Sequence, residues 1–171
     1  HILLWQIGAI LRCRTPHQQG VCLVYGIASS SCTSFLKCTI SGNGPRKDNA
    51  PLHNITLNGV YPDDVYTHPQ YYMTTSDKHE VAALKVIKSC KGKPNAKITI
   101  YRAVPKEVVA KHKGTVPIFP GDWVAIAKSY AVQHSYNSDD PADDDVVVSM
   151  KVLAKDVYTD GNSFSEWGYA P

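Results

Sequence analysis

Apolar and polar positions alternate most cleanly over Ala96-Lys-Ile-Thr-Ile-Tyr-Arg-Ala-Val104. A period of two puts Ile98, Ile100 and Arg102 on one face. This predicts a strand carrying a guanidinium where apolar side chains would otherwise continue inward. Upstream the period lengthens. Val81, Leu84, Ile87 and, less strictly, Val86 recur at helical spacing, so Ser76-Asp77 is expected to cap a helix running to about Cys90. Lys85 and Lys88 sit near its end, where cations suit the dipole, and Gly92 and Pro94 stop it. Downstream, Pro105 ends the strand and residues 105–113 are expected to form a short helix. After a Pro120-Gly121 turn, Asp122 to Ala127 reads as a second strand and Lys128 to His134 as a further helix. Asn137 to Asp145 reads as an acidic loop, and Val146 to Ala154 as a strand that Val157-Tyr158 extends. Thr159 to Asn162 is a turn before a closing extended piece, Glu166 to Tyr169, while Asn54 to Tyr72, rich in Tyr, Asp and Pro, reads as ordered loop. Strands interleaved with short helices predict an α+β domain.

The first 45 residues read differently. Val21 to Tyr25 and Phe35 to Ile40 are short apolar runs with strand character, separated by a Ser-rich patch at Ser29 to Ser34, and no clean period emerges. His1 to Leu11 is apolar but too short to span a bilayer, and Arg12 and Arg14 follow it rather than precede it as in a signal peptide. The chain opens on His1 rather than Met, as a fragment or a processed form would.

Charge and cysteine content divide the chain at the same place. No Asp or Glu precedes Asp48, and the first 47 residues carry +5; the remainder carries 13 basic and 15 acidic residues. The join falls at Ser41 to Asp48, a stretch of linker composition, giving a poorly readable amino-terminal segment over residues 1–47 and a folded domain over 48–171. Cys13, Cys22, Cys32 and Cys38 lie before the join and only Cys90 after it. Their spacing lacks the paired CxxC of a zinc site; reduced thiols or, in a secreted segment, two disulfides are the readings left. The net charge of +3 is too small to indicate nucleic acid or an anionic membrane as a partner.

Three segments carry candidate chemistry: Thr99-Ile-Tyr-Arg-Ala-Val104, Gly121-Asp-Trp-Val-Ala-Ile-Ala-Lys-Ser-Tyr-Ala131, and Asp160-Gly-Asn-Ser-Phe-Ser-Glu-Trp-Gly-Tyr169. A strand bearing Arg, a strand leading into a helix with a hydroxyl, and a turn leading to Glu follow in that order. This resembles the ADP-ribosyltransferase superfamily in its arginine–serine–glutamate branch, and more closely a compact domain of bacteriophage-encoded proteins. There a segment like Leu57-Asn-Gly-Val-Tyr-Pro-Asp-Asp-Val-Tyr66 precedes the three. The resemblance covers roughly residues 51 to 171 and says nothing of residues 1 to 50.

The resemblance implies a split mixed β-sheet with short flanking helices, NAD as co-substrate, and transfer of one ADP-ribose to a macromolecular acceptor, a host protein. It places such a protein in a host cytoplasm or on a virion. The chemistry asks for a carboxylate near the ribose to hold its 2′-hydroxyl and stabilise developing positive charge, and Glu166 fits. It asks for a cation on a rigid element to hold the dinucleotide's anionic part, and Arg102 fits. Tyr101, Tyr130 and Trp167 are candidates to clamp nicotinamide. The pattern departs in the middle segment: Ala127 stands where a Ser or Thr ends the second strand, and either Ser129, the nearest hydroxyl, takes its place in the catalytic set with Arg102 and Glu166 or the site works without one. Phe164 stands where arginine-directed transferases carry a second Glu or Gln, which argues against an arginine acceptor. Two alternatives stay open: hydrolysis of NAD with water as acceptor, and a catalytically inactive interaction module of a phage structural or injected protein, which the Ala127 departure favours.

Remaining signals point to ordinary surface. Asp139, Asp140, Asp143, Asp144 and Asp145 lack EF-hand spacing, and His53, His68, His79, His112 and His134 lack metal-ligand spacing, so no metal is expected. Asn54-Ile-Thr56 is a glycosylation sequon that matters only in a secretory setting.

Overall fold

The computed structural model describes residues 44–171, which lie within one compact unit of the chain. The strands expected at Val21 to Tyr25 and Phe35 to Ile40, and the state of Cys13, Cys22, Cys32 and Cys38, lie outside the described residues.

Both element types are present, interleaved as an α+β domain. Strand β1 is Ala50–Pro51. Residues 54–72 then form three short 3-10 turns, Leu57–Gly59, Asp63–Tyr66 and Pro69–Tyr71, tied back by Tyr66, whose hydroxyl accepts the Ile55 N–H at 3.1 Å. Helix α1 spans Lys78–Cys90, and the Asp77 carboxylate caps it by accepting the N–H groups of His79 (2.7 Å) and Glu80 (3.4 Å). Its buried face is His79, Ala83, Ile87 and Cys90, whereas Val81, Leu84 and Val86 are only half-buried. The helix is therefore rotated from the expected orientation. Beside Ile87, that face is made of Ala83, Cys90 and His79, which hydrophobicity ranks below the half-buried valines and leucine.

Strand β2, Lys97–Val104, pairs antiparallel along its whole length with β4, Val146–Leu153, in a register running from Lys97↔Leu153 to Val104↔Val146. Between them lie helix α2 (Lys106–Lys111), strand β3 (Trp123–Val124) and helix α3 (Lys128–Gln133). β4 does not run on through Val157-Tyr158. The N–H groups of Ala154 and Lys155 bond the Ala96 and Pro94 carbonyls, turning the chain across the end of β2. A separate strand β5, Val157–Thr159, then joins a second sheet of order β1-β5-β6-β3, with β6 at Trp167–Tyr169. Every named strand pairing among the described residues is antiparallel, which corrects the expectation of a mixed sheet. The expected strand Asp122 to Ala127 is shorter than its pattern because its partners change: Val124 pairs with Trp167, while Ala125 exchanges both backbone hydrogen bonds, at 2.8 Å each, with Tyr101 of β2. Among the described residues that bridge joins the two sheets.

Trp167, Phe164, Leu52, Ile55, Ile87 and Ile100 fill the core and are fully buried. One backbone approach is unusually close. Residues Gly44-Pro45 cross β6 at Gly168, where an added Cβ would lie 2.5 Å from the Pro45 nitrogen and closer still to its oxygen. Gly44 N donates to the Gly121 carbonyl at 2.8 Å, fixing that crossing. No helix among the described residues is long and apolar enough to cross a membrane.

Candidate functional site

Glu166 immediately precedes β6, and its Oε1 accepts the hydroxyl proton of Tyr130 at 2.6 Å. Tyr130 is carried there by α3, which starts directly after Ala127. Burial, then the hydrogen bond to Glu166, then the charges of Glu166, Asp77 and Glu80 push the Tyr130 phenol far above its ordinary value. The phenol therefore stays protonated and donates to the carboxylate at any physiological pH.

Two imidazoles flank the Tyr130 ring: His134 at 4.4 Å between centroids and His79 at 6.1 Å, edge-on. His79 comes from the first turn of α1 and is 8% exposed. Its Nδ1 lies 2.9 Å from the Ser129 Oγ. On the same helix turn, Glu80 accepts the Thr74 N–H at 2.6 Å and meets the Ser163 hydroxyl at 3.4 Å, three residues before Glu166. The start of α1, the start of α3 and the segment before β6 thus converge on one cluster of His79, Glu80, Ser129, Tyr130 and Glu166.

Arg102 sits apart from it. On β2 it shares a face with the buried Ile100 and Val104 and forms a close ion pair with Asp122, the two side chains being 35% and 20% exposed. Asp122 also accepts the Phe119 N–H at 2.7 Å, so its carboxylate is held by the turn leading into β3. The bridge Tyr101↔Ala125 and the pair Val124↔Trp167 put Arg102 level with Val124 and Trp167, and Glu166 level with Ala125 and Tyr101. A regular pleat at that step turns the two side chains to opposite faces of the ladder. No hydrogen bond or ion pair joins Arg102 to Glu166 among the described residues.

The other expected site residues divide. Tyr101 is half-buried in β2. Trp167 is fully buried and gives its indole N–H to the Phe164 carbonyl at 2.7 Å, which makes it a core side chain with no face open to a nicotinamide ring. Ala127 is buried and occupies the N-cap position of α3, where no side chain caps the helix. Ser129 lies inside α3 and turns to His79 rather than to the end of β3. Sequence reasoning missed His79 and Glu80. The signal was present in Asp77-Lys-His-Glu80, where an N-cap fixes the two polar residues that follow it, but nothing local says which way that first turn faces.

Among the described residues no group of three or more His, Cys, Asp or Glu is placed to hold a metal ion. No protein-family model, curated protein or solved structure matches the chain.

Proposed function

We propose that residues 48–171 form an NAD-cleaving domain of the ADP-ribosyltransferase type, with the split-sheet fold of that superfamily, that transfers one ADP-ribose to an acceptor protein. The observation carrying this reading is the Tyr130–Glu166 hydrogen bond at 2.6 Å, which holds a half-exposed carboxylate at a strand end among further polar groups. Such a carboxylate, fixed before the reaction, is what a ribosyl centre of growing positive charge requires. Glu166 stabilises that charge and holds the ribose 2′-hydroxyl. Tyr130 orients Glu166 rather than clamping nicotinamide. Arg102 takes no part in this reading, being paired with Asp122 and turned to the other face of the ladder from Glu166. With Trp167 in the core, stacking on the nicotinamide falls to the half-buried Tyr101.

A second reading, an interaction module without catalysis, is favoured by the Arg102–Asp122 pair and by the register that separates Arg102 from Glu166. Incubation of the chain with labelled NAD and cell lysate separates the outcomes. Label on protein supports transfer, free ADP-ribose supports hydrolysis with water as acceptor, and intact NAD leaves the interaction module.

A further inference from the structure

The pair formed by His79 and Ser129 performs no step in the NAD chemistry above, yet it has the form of an activated nucleophile. The Ser129 Oγ lies 2.9 Å from His79 Nδ1, within the 2.6–3.2 Å or so over which an imidazole takes a hydroxyl proton. The base is fixed from several sides. Its backbone N–H is held by Asp77 at 2.7 Å, its ring lies edge-on to Tyr130 at 6.1 Å, and it is 8% exposed. Ser129 is half-buried and so remains open to a small reagent. The two residues, fifty positions apart in the sequence, meet from the starts of α1 and α3.

We propose that Ser129 is a nucleophile, with His79 as its base, that takes an acyl group from an activated ester or thioester. The Oγ adds to the carbonyl carbon as its proton passes to His79 Nδ1. The carbon–oxygen or carbon–sulfur bond to the leaving group then breaks, and that group departs with the electron pair and recovers the proton from His79. The product is an ester on Ser129, and no oxidant or reductant is consumed. This activity is independent of NAD.

The test is reaction of the full chain with a fluorophosphonate probe, which phosphonylates activated serines, followed by peptide mass spectrometry. Ser129 is expected to carry the label, and Ser129→Ala to lose it. His79→Asn keeps an acceptor near the hydroxyl but no base, and is expected to slow labelling about a hundredfold while thermal unfolding stays near that of the wild type. Acetylation by p-nitrophenyl acetate should map to the same serine. An unlabelled Ser129, labelling no faster than at the exposed Ser138, or equal rates in wild type and His79→Asn would each overturn the proposal. Nicotinamide release measured on the same preparations reports separately on the NAD reading.

Discussion

Replacing Tyr130 by Phe removes one oxygen and tests the contact that orients Glu166. The lost bond runs to an ionised acceptor at 2.6 Å. Hydrogen bonds to charged groups contribute roughly 1.5–3 kcal/mol, and partial exposure places this one at the lower end. A loss of about 1.5 kcal/mol should lower Tm by roughly 5 °C in a domain of this size. The change also has a pH signature. Burial and the Glu166 bond raise the folded-state value of Tyr130, so its contribution is complete below the unfolded value of about 10. Above that, the unfolded chain releases a proton the folded chain keeps, and stability falls with rising pH by up to about 1.4 kcal/mol per unit for this one group. Tyr61, 5% exposed and raised mainly by burial, adds a second loss of the same sign. Urea unfolding of wild type and Tyr130→Phe between pH 7 and 11 measures both effects. The variant should start lower at neutral pH and decline less steeply above pH 10; on the NAD reading, nicotinamide release should also slow about tenfold as Glu166 loses its support. Equal stability at neutral pH together with an unchanged alkaline slope would refute the reasoning.

Two other substitutions probe the scaffold. Gly168→Ala drives a Cβ into the Pro45 backbone and should cost about 3 kcal/mol or more, read by the same unfolding experiment. Ala127→Ser places a hydroxyl at the uncapped N-cap of α3, where it should add about 1 kcal/mol of stability. On the NAD reading the same change also raises the cleavage rate, measured as nicotinamide release.

How much of this was legible in the sequence depended on whether the signal was local. Helix α1 was readable because Asp77 is a strong N-cap and Gly92 a strong stop. Strand β2 was readable because Ile98, Ile100 and Val104 keep a period of two, with Arg102 the one departure on that face. The rotation of α1 was not, because the buried Ala83, Cys90 and His79 stand out less by hydrophobicity than the half-buried Val81, Leu84 and Val86. The short length of β3 was equally hidden: Asp122 to Ala127 has one pattern, but Val124 and Ala125 answer to different partners, and partner choice is a long-range property. At the site, the carboxylate and the guanidinium could be nominated individually. That Asp122 would meet Arg102, and that Tyr130 would turn to Glu166, required the register of three strands. Trp167, an aromatic next to Glu166 in sequence, faces the core for the same reason: neighbours on an extended segment point opposite ways.

The role of Glu166 is tested most directly by nicotinamide release from NAD by the wild-type chain and by Glu166→Gln, an isosteric change that keeps an acceptor for the Tyr130 hydroxyl. Measurable release by the wild type is expected, with a fall of about a hundredfold or more in the variant and folding unchanged. Equal release by the two proteins, or none from either, would rule that role out.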